Sequence, residues 1–97
     1  MISEEIIEKL PQVLETPYDF YNNDIPNDIF GDTEIVKTVE ETDGTAYVVV
    51  LFKDHGVFIR LNGYYDSYDS YATYDDHDYV EVFPYQEMVT FYDTNKK

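Results

Sequence analysis

Two turn signals, Asp43-Gly44 and Asp54-His55-Gly56, cut residues 34 to 65 into three runs of strand character. Asp-Gly is favoured in tight hairpins because glycine accepts positive φ at no steric cost. Before it, Glu34 to Thr42 alternates Ile35, Lys37 and Val39 with Val36, Thr38 and Glu40, the period of a half-buried strand. After it, Thr45 to Lys53 (TAYVVVLFK) is nearly all apolar and β-branched, which predicts a central strand covered on both faces. Val57 to Tyr65 returns, with Val57, Ile59 and Leu61 opposed to Phe58, Arg60 and Asn62. Links this short favour an antiparallel meander. Tyr79 to Phe83 and Met88 to Tyr92, parted by Pro84, add one or two strands.

The start of the chain has a different period. Ile2, Ile6, Ile7 and Leu10 form one helical stripe, with Ser3 as the expected N-cap and Glu4 and Glu5 in the first turn, where the dipole favours negative charge. Pro11 stops this helix or begins another turn holding Val13 and Leu14. From Thr16 to Thr33, turn residues (Pro17, Asn22, Asn23, Pro26, Asn27, Gly31) interleave with Tyr18, Phe20, Tyr21, Ile25, Ile29 and Phe30. This is too apolar for a free linker, so an ordered loop with one helical turn is expected against the core. The expected fold is α+β: an antiparallel β-sheet meander of four or five strands with a short N-terminal helix packed on one face. A single domain is expected over 1–97, with helix at 1–15, ordered loop at 16–33, sheet at 34–93 and a tail at 94–97.

Composition narrows the function classes. The chain has 97 residues, 43% of them hydrophobic, enough for one core and too many for an acidic disordered chain. Twenty-one Asp and Glu against 6 Lys and Arg give a net charge of −15, which argues against a direct grip on nucleic acid. Cysteine is absent, so disulfides, thiolate metal sites and a Cys nucleophile are excluded. No apolar run is long enough for a membrane helix, and the acidic start predicts neither signal nor transit peptide. The expected location is the cytoplasm of a host cell.

Residues 64–79 (YYDSYDSYATYDDHDY) hold six of the eleven tyrosines and five aspartates. Their period of three suits neither helix nor strand, so a turn-rich surface connection is expected. In the plainer reading, tyrosines fold onto the sheet edge and aspartates stand in water. In the sharper one, the segment is a recognition surface, since tyrosine offers stiff contact area with a polar tip. From Leu61 through Asn95 there is no Lys or Arg, and Leu10 to Val36 is also free of them. Unneutralised carboxylates repel one another, so a basic partner is a reason for keeping them. Alternate strand residues lie roughly 6.5 to 7 Å apart, close to phosphate spacing, so Asp76 and Asp78 are candidates for a phosphate-like row.

Catalytic signatures are missing. His55 sits in a tight turn, where the ring is expected to face solvent. His77 has carboxylates beside it, but four adjacent residues cannot converge on one ion, and the segment lacks the glycine and spacing of an EF-hand. Each glycine is isolated, and no serine lies in a nucleophile elbow. Neither enzyme activity, a cofactor nor a metal site is expected.

Lys53-Asp-His-Gly-Val57, Gly63-Tyr-Tyr-Asp-Ser-Tyr-Asp69, Tyr79-Val-Glu-Val-Phe-Pro84 and the closing Thr90-Phe-Tyr92 resemble a group of small uncharacterised phage and prophage proteins. The resemblance spans about residues 45 to 93. It implies a phage origin without supplying an activity. The glycine that pattern carries soon after Ser67-Tyr68 is replaced here by Asp69-Ser70. In size and charge the chain is also similar to phage-encoded anti-defence inhibitors, anti-CRISPR and anti-restriction proteins that imitate DNA.

These readings give one leading expectation: a non-enzymatic phage inhibitor that fills the basic cleft of a host nucleic-acid-binding protein. Its binding surface is expected to comprise Tyr65, Asp66, Tyr68, Asp69, Tyr71, Tyr74, Asp75, Asp76 and Asp78. The alternative is an assembly module of a virion or phage complex that self-associates through strand edges and tyrosines. A nucleotide-binding aromatic loop ranks last, because no basic residue lies near it.

Overall fold

The amphipathic start of the chain forms α1 (Ser3–Val13) in a computed structural model that describes residues 2–66, 68 and 70–83. Ile6 and Leu10 are fully buried from this helix. It continues through Pro11, whose missing N–H removes one intrahelical hydrogen bond, and Leu14 N–H still reaches the Leu10 carbonyl at 2.9 Å. Burial of Leu10 and Leu14 holds that last turn in place. Ser3 is not the N-cap. Extended Ile2 takes that position, and its N–H donates to the Glu5 carboxylate at 3.1 Å. One residue inside the helix, the Ser3 hydroxyl donates to Glu81 Oε1 at 2.7 Å and ties the helix to the sheet.

The stretch expected as an ordered loop holds two short helices, α2 (Pro17–Tyr21) and α3 (Asn27–Phe30). Pro17 opens α2 at a position where a missing N–H costs nothing. Phe20, Ile25 and Phe30 bury themselves from this stretch. His55 is half-buried beside this stretch: its Nε2 lies 3.1 Å from the Phe30 carbonyl, a distance at which the nitrogen donates.

Among the described residues four antiparallel strands follow in the order β1-β2-β3-β4: β1 (Thr33–Glu40), β2 (Thr45–Phe52), β3 (Val57–Asp66) and β4 (Tyr71–Val82). The inner face of the sheet (Val48, Val50, Phe52, Ile59, Leu61) packs against Ile6, Leu10, Phe20 and Phe30 in one core. With the helices against the inner face of an antiparallel sheet, the domain is α+β. The outer face carries Tyr47, with Lys37 Nζ 5.5 Å and the Arg60 guanidinium 4.3 Å from its ring centroid. Val49, between Lys37 and Arg60 in the ladder, is only 2% exposed, but Tyr47 and Leu51 on the same outer face are half-buried. β2 is therefore interior in the sheet yet fully covered only on its inner face, where its composition predicts cover on both.

β1 departs from its sequence pattern. Ile35 pairs with Val50 and Lys37 with Val49, leaving Val36 as a bulge. The bulge splits the apparent single face: Ile35 packs on the core, while Lys37 and Val39 lie beside Val49 and Tyr47 on the outer side.

The tyrosine-rich segment is a hairpin rather than a loop. β3 continues to Asp66, β4 begins at Tyr71, and the pairs Tyr64↔Thr73, Tyr65↔Ala72 and Asp66↔Tyr71 close it. Aromatic and β-branched residues favour an extended ladder, and the period of three acts only at the turn. Further along, Leu61 pairs with Tyr79 and Gly63 with Tyr74, so Asn62 alone faces residues 75–78. Asp76 and Asp78 fall in that irregular stretch, and the side chain of Asp76 lies outside the described residues. The strand expected at Met88 to Tyr92 and the tail at 94–97 lie outside the described residues. Among the described residues no helix is long and apolar enough to cross a membrane.

Candidate functional site at the acidic end of the sheet

One cross-strand row organises the end of the sheet where β1 stops and β4 starts. Glu40 pairs with Ala46, Ala46 with Gly63, and Gly63 with Tyr74. The two middle positions are nearly bare of side chain, so they form a trough across the inner face. Tyr74 lies along this trough, and its hydroxyl comes within 3.5 Å of Glu40 Oε2. Three strand gaps, roughly 14 Å in total, are thereby bridged by one phenol and one carboxylate.

Helix α2 supplies the other wall. Tyr18 and Tyr21, three residues apart, share a helical face. Tyr18 meets Tyr74 edge-on with ring centroids 5.9 Å apart, and Tyr21 lies 5.3 Å from Tyr74 in a tilted stack. The Tyr18 hydroxyl donates to the Ala72 carbonyl at 3.0 Å, which fixes that ring. Tyr21 hydrogen-bonds Glu40, and this bond, followed by burial, holds its phenol above the ordinary tyrosine value. Burial, followed by the charge of Glu40, pushes the Tyr74 phenol up as well. Tyr18, Tyr21 and Tyr74 together with Glu40, Ser70 and Ala72 thus line a pocket open to solvent.

Around the pocket the charge is one-sided. Glu40, Glu41 and Asp43 stand at the β1–β2 turn, and Asp66 stands at the β3–β4 turn. Tyr65 N–H donates to the Gly44 carbonyl at 3.1 Å, which joins the two turns. The described cations lie elsewhere: Lys37 and Arg60 on the outer face, Lys9 on α1, and Lys53 at the opposite end, paired with Glu34 at 3.1 Å.

The residues expected to form a binding surface divide into groups. Asp66 and Tyr68 meet at the hairpin turn, where the Asp66 carboxylate accepts the Tyr68 N–H at 2.9 Å and Tyr68 is 97% exposed. Asp75 and Asp78 are exposed and share an open cleft with Asn62 and Tyr64, and Asp78 accepts from Asn62 Nδ2 at 3.2 Å. Tyr74 is 5% exposed and packs in the core, meeting the surface only where it lines the pocket with Tyr18 and Tyr21. Tyr65 packs partly against that core. Asp69 lies outside the described residues, as do the side chains of Tyr71 and Asp76. Tyr18, Tyr21 and Glu40 were not singled out from sequence. The i, i+3 tyrosines of a proline-opened turn are a legible signal, whereas the side of the sheet on which Glu40 falls depends on the bulge.

No family model matches the chain, and neither a curated protein nor a solved structure is significantly similar to it.

Proposed function

We propose that this chain is a phage-encoded, non-enzymatic inhibitor that binds a host defence protein in its basic, nucleic-acid-handling cleft and takes the place of nucleic acid there. The observation that carries the reading is the acidic end of the sheet, where Glu40, Glu41, Asp43 and Asp66 gather with no described Lys or Arg among them. Such a surface speeds encounter with a positive cleft and disfavours partners of like charge. Exposed Tyr68 beside Asp66 adds an aromatic contact of the kind that anchors interfaces. The test is capture of host proteins on the immobilised chain, followed by elution with a short DNA duplex. Release of a nucleic-acid-binding protein, and loss of its capture when Asp75, Asp76 and Asp78 are all changed to Lys, is expected. A partner that the duplex cannot displace would overturn the reading, and unchanged capture by the triple variant would remove residues 75–78 from the binding surface.

A second reading, assembly with copies of itself or another phage protein, is favoured by the apolar exposure of Val36, Val80 and Phe83. Self-association insensitive to salt, measured by sedimentation, would support it over the first. The glutamates of β1 and its bulge at Val36 count against edge-to-edge pairing.

A further inference from the structure

We propose that the pocket bounded by Tyr18, Tyr21, Tyr74 and Glu40 receives the guanidinium group of an arginine presented by a partner protein. The pocket combines aromatic rings with a carboxylate, the two features that attract a cation at short range. Among the described residues the Glu40 carboxylate is met by the phenol hydroxyls of Tyr74 and Tyr21. An apolar ligand would cover that carboxylate without a counter-charge, which is costly, and an anionic ligand would be repelled by it. A cation satisfies both the rings and the carboxylate.

Arginine fits better than lysine. Its planar, weakly hydrated head stacks on aromatic faces while its fork donates to a carboxylate. The same pairing already occurs on the other side of the sheet, where Arg60 lies 4.3 Å from the Tyr47 ring centroid and donates from Nε to Asn62. The pocket walls are set before any ligand arrives: Tyr18 is anchored to Ala72, and Tyr74 is fixed by its trough. Little ordering cost then remains for binding.

The source of the cation rests on the basic partner proposed above, but the pocket can be tested without that partner. The full chain would be titrated with N-acetyl-arginine amide while the aromatic resonances of its tyrosines are followed by NMR. The citrulline amide serves as a neutral isostere, and the lysine amide as a compact cation. Saturable shifts at Tyr18, Tyr21 and Tyr74 are expected with the arginine compound, with citrulline about tenfold weaker. Glu40→Gln, which preserves shape, should weaken arginine binding by a similar factor while leaving the rest of the spectrum in place. Equal binding of citrulline or of lysine, an unaffected Glu40→Gln variant, or shifts spread over all carboxylates without saturation would overturn the proposal. If the pocket fails while a partner is still captured and released by DNA, the broader reading stands alone. If the pocket binds arginine and no such partner is found, the reverse holds.

Discussion

The ring of Tyr74 rests on the backbone of Gly63, so closely that a β-carbon added there would lie 2.5 Å from the ring Cδ1 and 2.5 Å from the Thr73 carbonyl oxygen. Glycine is therefore required by contact rather than by backbone angle. Gly63→Ala would lift the phenol off its trough or part β3 from β4, and a loss of about 1–3 kcal/mol is expected. Urea denaturation measures it, and a midpoint equal to that of the parent would show that the ring has another resting place.

Stability should decline in alkali, and Tyr74 should account for part of the slope. Burial and Glu40 raise the Tyr74 phenol, and Glu40 and burial raise that of Tyr21, so the folded chain keeps protons that the unfolded chain gives up. Their contribution is complete below the unfolded value of about 10 and is lost as pH rises through the folded values. Thermal melts between about pH 8 and about pH 11 should show a falling midpoint. Tyr74→Phe should flatten that fall, having no proton to lose. An equally steep fall in the variant would place the alkaline sensitivity elsewhere.

Ser70 occupies the left-handed region, with φ at +59°. It is a conformation that a β-carbon disfavours. Ser70→Gly removes the clash at the cost of a looser unfolded chain, for an expected net gain of about 0.5–1 kcal/mol. A raised melting temperature with unchanged strand content would confirm it; a lowered one would mean that the serine side chain contributes more than its strain costs.

Much of the fold was legible because the strongest signals were local. Asp43-Gly44 and Asp54-His55-Gly56 do stand between strands, and TAYVVVLFK is an interior strand of the sheet, as its β-branched run announces. The stripe Ile6 and Leu10 is core. What escaped the sequence was register. Neither the surplus residue in β1 nor the unequal stretch around Asn62 leaves a mark in composition, because each arises from how two distant segments align. The candidate surface suffered for the same reason. Tyr68 and Tyr74 look alike in a tyrosine-rich run, yet one stands in water and the other spans the core. Glu40 reads as one acid among many until the ladder sets it opposite Ala46, on the side of Tyr74.

The bulge at Val36 has a genetic consequence. β1 carries one codon more than its ladder with β2 uses. Losing any single codon from 36 to 39 leaves a chain that can iron the bulge flat, still sending Ile35 toward the helices and Glu40 toward Tyr74. β2 has no such reserve, since every residue from Thr45 to Phe52 is matched with β3. A codon lost in its middle would turn every residue on one side of the deletion to the opposite face. The edge strand can thus shorten and vary while the strand beside it cannot.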